Sequence, residues 1–183
     1  GHDDHGDEDH DDEGHDDHGD EDHEDHGDED HDDEGASGGL DAHVHGTAEL
    51  LVAWSGSDVV VDLISPAENI FGFEYEPSTD EDIALVEERT AALTSPELLV
   101  FNDQAGCALT ADIESDFVVE GSHAEVTTSW LFSCAEPGEL TELDVGALLA
   151  EFPGIEDLDA QVATDAGQSA AELSASSTIL ELS

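Results

Sequence analysis

Between residues 43 and 54 apolar and polar positions alternate, with Val44, Ala48, Leu50, Val52 and Trp54 on one side and His43, His45, Thr47, Glu49 and Leu51 on the other. A period of two predicts a half-buried strand. Ser55-Gly56-Ser57 reads as a turn, and 58–64 as a second strand that completes a hairpin and stops at Pro66. The period then lengthens. Ser78 and Thr79 followed by Asp80, Glu81 and Asp82 mark a helix start with acids at its positive end. Ile83, Val86, Thr90 and Leu93 share one face, and Ser95-Pro96 marks the stop. Strand signals return at 98–101, 108–113, 117–120 and 124–134, the last with Val126, Thr128, Trp130, Phe132 and Cys134 on its inner side. A short helix over 144–151 ends at Pro153-Gly154, and 158–162 and 178–182 read as strands that complete the sheet. This order predicts an α+β domain over 40–183, a largely antiparallel sheet with two helices.

Nothing of this kind precedes Leu40. Apart from Ala36, residues 1–39 hold no aliphatic or aromatic side chain, so a packed core has nothing to form from and a disordered segment is expected. The segment is a repeat. His-x-x-His-Gly-Asp-Glu-Asp stands at 2–9, 15–22 and 23–30, and His-Asp-Asp-Glu-Gly at 10–14 and 31–35. Ala36-Ser37-Gly38-Gly39 then reads as a flexible hinge.

Charge narrows the function. One Lys+Arg against 51 Asp+Glu gives a formal charge of -50, and repulsion excludes nucleic acid and anionic membrane surfaces as partners. Residues 1–35 hold 21 of the acids, which leaves 30 in the remainder against the single Arg89. A domain so charged repels itself unless salt shortens the Debye length, to about 3 Å near 1 M, and a salt-loving source is expected. No apolar run approaches the ~20 residues needed to span a bilayer as a helix. Cys107 and Cys134 lie in no metal-ligand spacing, and read as a disulfide in an oxidising compartment or as two buried thiols. The chain opens at Gly1 without a Met or an apolar leader, so an exported protein with its signal peptide removed is expected.

The chemistry available is that of cation binding. His2, His5, His10, His15, His18, His23, His26 and His31 stand at spacings of three and five among carboxylates. Imidazole ligates zinc, copper and nickel, and a flexible chain can gather several rings around one ion. Carboxylates alone would serve a solvated acidic brush. The repeated histidines favour metal handling instead. In the domain, His43-Val44-His45-Gly46 sets two rings ~7 Å apart on one strand face, a span that one metal ion bridges. His123 is the remaining domain histidine and the candidate third ligand, provided its strand neighbours theirs; Glu49 and Glu74 are candidate carboxylates. No nucleophile elbow, phosphate-cradling loop or His-Glu-x-x-His helix is present, so no enzyme is expected, and a metallo-hydrolase is the least favoured alternative.

These segments also carry a resemblance. His43-Val44-His45-Gly46 with Ala48-Glu49-Leu50, Ser65-Pro66-Ala67-Glu68-Asn69-Ile70 running into Gly72-Phe73-Glu74, Cys107, and His123-Ala124-Glu125 through Phe132-Ser133-Cys134 resemble, in that order, the ZrgA-like family of periplasmic zinc-binding proteins. The Pro-Ala-x-Asn-Ile-x-Gly-Phe-Glu string is the most specific part. The resemblance implies zinc binding in the periplasm and a supporting part in zinc acquisition beside an ABC-type importer. It carries over the His43/His45 pair and His123 as metal residues and implies no enzyme activity. The family string continues with a histidine where this chain has Tyr75, a departure that shifts metal binding towards residues 1–39 if that histidine is a ligand. The expected function is capture and buffering of zinc, with the repeat as a low-affinity, high-capacity antenna. The alternative is a nickel/cobalt-handling or metal-sensing partner of a transporter.

Overall fold

The computed structural model of the chain describes residues 44–182, so the expected disordered segment over 1–39 lies outside them. β1 (Thr47–Ser55) and β2 (Asp58–Pro66) form the expected hairpin, with Gly56 at φ 63° supplying the left-handed residue of its two-residue turn. Leu50 faces Leu63, and Val52 faces Val61. On the far side of β2 lies β6 (His123–Cys134), which sets Trp130 opposite Val61 and Phe132 opposite Val59. On the far side of β1 lies β8 (Asp157–Thr164), in parallel, followed by β9 (Gly167–Leu173) as an antiparallel edge.

The other edge is shared by β4 (Cys107–Leu109) and β5 (Glu114–Glu120), which pair with opposite ends of β6. Cys107 falls directly opposite Cys134, and the two form a disulfide. The expected strand over 108–113 is thus cut short. Residues 110–113 form a bulge opposite Trp130 and Leu131, with the Thr110 N–H donating to the Leu131 carbonyl at 2.9 Å. The sheet order is β4/β5-β6-β2-β1-β8-β9, and every pairing except β1–β8 is antiparallel.

A second sheet, β10-β7-β3, is built from Ile179–Glu181, β7 (Glu142–Asp144) and β3 (Val100–Phe101). Residues 178–182 therefore do not complete the large sheet. The inner face of the large sheet buries Leu50, Val52, Val61, Leu63, Val126, Trp130 and Leu158 in one cluster with Leu143 and Leu180 of the small sheet and with the helices. Each such side chain contributes roughly 1.5–3 kcal/mol on burial.

The described residues are mostly β, with three α-helices where two helices were expected. α1 (Ala67–Phe71) follows Pro66 without a break; α2 is Asp80–Leu93 and α3 is Gly146–Glu151. α2 begins as the sequence indicated, the Thr79 hydroxyl accepting from the Asp82 N–H at 3.1 Å. Its apolar face differs. Leu85, Val86 and Leu93 pack inward while Ile83 remains exposed, because the first turn of the helix stands clear of the core. Arg89 ties α2 to the end of α3: its Nη1 lies 3.4 Å from both the Glu151 carbonyl and carboxylate, and its guanidinium stands 5.2 Å from the Phe152 ring centre.

Candidate metal site

β1 begins at Thr47, not at 43, and the reason is Gly46. Its φ of 90° is closed to ordinary L side chains, so the chain turns there, and the Thr47 N–H donates to the Val44 carbonyl at 3.1 Å. Val44 is consequently 70% exposed instead of facing inward, and His45 sits in a turn instead of on a strand face. The expected strand is therefore corrected at His45; His43, its expected neighbour on the same face, lies outside the described residues.

The turn is held by its neighbours in space. Asn69 of α1 is buried, and its side-chain oxygen accepts the Gly46 N–H at 2.8 Å. Its amide nitrogen donates to the Thr47 carbonyl at 2.9 Å and to the Ser65 hydroxyl at 3.2 Å. From the other side the Gly46 carbonyl accepts the N–H groups of Glu156 and Asp157 at 2.7 and 3.0 Å. A Cβ on Gly154 would run into the Asn69 carbonyl oxygen, so only glycine lets this segment approach α1 so closely. The Ser-Pro-Ala-Glu-Asn-Ile string is thus a clamp. Both polar atoms of the Asn69 side chain find partners where the His45 turn enters β1, and the Ser65 hydroxyl of β2 takes a further amide hydrogen.

The rest of the string supplies a carboxylate. Gly72 ends α1 in the left-handed conformation at φ 81°, its N–H donating to the Glu68 carbonyl at 2.9 Å. Phe73 then stacks between Phe71 and Tyr75, with ring centres 5.9 and 4.6 Å away. Glu74, fixed between two anchored rings, brings Oε2 to 3.3 Å from His45 Nε2. The Glu74 side chain is 14% exposed and that of His45 60%, so the pair sits at a rim open to solvent. Imidazole and carboxylate side by side are two donors for a divalent cation. A tetrahedral zinc ion takes about four, so waters or further residues complete any such site.

The other expected residues among those described lie apart from this pair. His123 opens β6 on the outer face, opposite Glu120, and is half-buried. Since β2 separates β6 from β1, the strand that follows the His45 turn, these two strands are not neighbours and run about 10 Å apart. Glu49 stands on the outer face of β1, four residues along, opposite Asp159 of β8. Among the described residues no group of three His, Cys, Asp or Glu side chains converges on one point. The eight histidines from His2 to His31 lie outside the described residues. Sequence reasoning named His45 and Glu74. It missed Asn69, whose place inside an otherwise unexplained string was the available signal, and Glu156, whose carboxylate lies over Gly46.

A sheet domain that offers an imidazole and a carboxylate from a clamped turn has the chemistry to hold a cation. The profile of the ZrgA family zinc uptake proteins matches residues 42–182, and the chain belongs to that family. The family ties it to zinc uptake. No curated protein matches the chain.

Proposed function

We propose that this protein captures and buffers zinc in the periplasm and supports its acquisition by an ABC-type importer. The observation that carries this reading is the contact of His45 Nε2 with Glu74 Oε2 at 3.3 Å on a turn fixed by Asn69. A carboxylate beside a histidine either joins it as a ligand or orients its ring, and both raise affinity for a divalent ion. The Cys107–Cys134 disulfide supports an oxidising compartment. Its family supports zinc as the cargo.

The histidines between His2 and His31 add capacity in this reading. They supply many overlapping sites of low affinity, while the domain supplies a discrete one. The 30 acids outside residues 1–35, with Arg89 alone against them, adapt the protein to high salt. Calorimetric zinc titration in molar salt near neutral pH, on the whole chain and on one starting at Ala36, tests the division. Removal of the repeat lowers the number of ions bound per chain much more than it lowers the affinity of the tightest one. Unchanged stoichiometry rejects the antenna role.

A further inference from the structure

The two edges of the large sheet are unlike. On the β4/β5 edge the bulge at residues 110–113 breaks the ladder, and Glu114, Asp116 and Glu120 put three carboxylates along one strand. These are the devices that keep edge strands from pairing with other chains. β9 has no bulge and a single carboxylate. Its sequence, Gly-Gln-Ser-Ala-Ala-Glu-Leu, contains no proline and no lysine, and one charge, Glu172. It pairs with β8 without a bulge over seven consecutive positions and with no other strand among the described residues, so its other side is regular. From Gly167 to Glu172 it is exposed on both faces.

We propose that β9 is a docking edge for a second copy of this chain, joined by antiparallel pairing about a twofold axis at Ala170. The strand is self-complementary in that register. Ala170 meets Ala170 of the second copy, Ser169 meets Ala171, and the Gln168 amide meets the Glu172 carboxylate at both ends. The side-chain register favours this occupant. Glu172 ends a row of three carboxylates across the outer face, with Asp159 opposite it and Glu49 beyond. The second copy continues that row with an amide, which donates to a carboxylate instead of repelling it. Small side chains on both faces leave room for the approach. Seven residues a side is fewer than the roughly 20–30 of a standard interface, so the association is weak. Salt strengthens it, because the two acidic chains repel until their charges are screened.

Sedimentation velocity on the whole chain, from micromolar to millimolar concentration at low and molar salt, tests the proposal. The expected result is a monomer–dimer equilibrium that shifts to dimer as salt rises. Gln168→Glu places carboxylate against carboxylate at both ends and raises the dimer dissociation constant about tenfold or more. Adding Glu172→Gln to that variant restores the complementary pair and recovers the dimer. Both side chains are exposed, so unchanged circular dichroism and melting confirm that the variants fold. A chain that stays monomeric throughout overturns the proposal and leaves the edge to a strand of a different protein. A dimer indifferent to Gln168→Glu, or one the second substitution fails to recover, overturns it as well.

Discussion

Replacing Asn69 with Ala separates the clamp from the side chain it presents. The substitution removes three hydrogen bonds, to the Gly46 N–H at 2.8 Å, the Thr47 carbonyl at 2.9 Å and the Ser65 hydroxyl at 3.2 Å. Ser65 keeps its own bond to the Pro66 carbonyl, so its loss is small. The Gly46 and Thr47 groups face the buried side of the turn, and each left unpaired costs roughly 1–3 kcal/mol. Water reaching the rim beside His45 recovers part of that, which puts the whole effect at about 2–4 kcal/mol. Denaturant unfolding in molar salt reads the stability, and zinc titration of the same variant in a chain starting at Ala36 reads the site. Both fall together in Asn69→Ala. His45→Ala, in contrast, removes a largely exposed ring and leaves stability within about 0.5 kcal/mol while zinc affinity drops. An Asn69→Ala midpoint indistinguishable from that of the parent would refute the clamp.

Gly154→Ala drives a Cβ against the Asn69 backbone and costs about 1–3 kcal/mol by thermal or chemical unfolding, whereas Gly138→Ala, with nothing within 4 Å, costs little. Arg89→Ala loses the α3 carbonyl, the partly screened Glu151 ion pair and the Phe152 ring, for a destabilisation of about 1–2 kcal/mol that a melting curve resolves. Cys107→Ser with Cys134→Ser removes the cross-strand disulfide and lowers stability by about 2–4 kcal/mol; thiol labelling of the unfolded parent without reductant finds no free thiol. Only neutral imidazole ligates, so zinc affinity decreases steadily as pH is lowered from neutral, and calorimetry at several pH values finds proton release on binding.

Where the side chains alternate cleanly the sequence was readable. β1, β2 and the inner row of β6 from Val126 to Cys134 follow directly from period-two burial, and Thr79 with the acids after it marks the start of α2. β9 escaped because its small, exposed residues carry no such alternation, and β7 because three residues are too few to show one. The parallel pairing of β1 with β8 joins segments about a hundred residues apart and has no local signature. At the site, His45 and Glu74 were legible as residue types, but their meeting depends on two turns. Gly46 ends the expected strand before it reaches His45, and Gly72 sends the chain back so that Glu74 arrives beside it. Asn69 was visible in the string and opaque in role, because an amide that bridges two segments identifies itself only when both partners are in place.

The central claim is that the folded domain, independently of the repeat, holds zinc through His45 and Glu74. Zinc calorimetry in molar salt on a chain starting at Ala36, alongside its His45→Ala and Glu74→Gln variants, tests it most directly. The account predicts one discrete site in the parent, weakened by at least about tenfold in either variant, which corresponds to about 1.4 kcal/mol. Binding of equal strength in all three chains, or no binding in the parent, would contradict it.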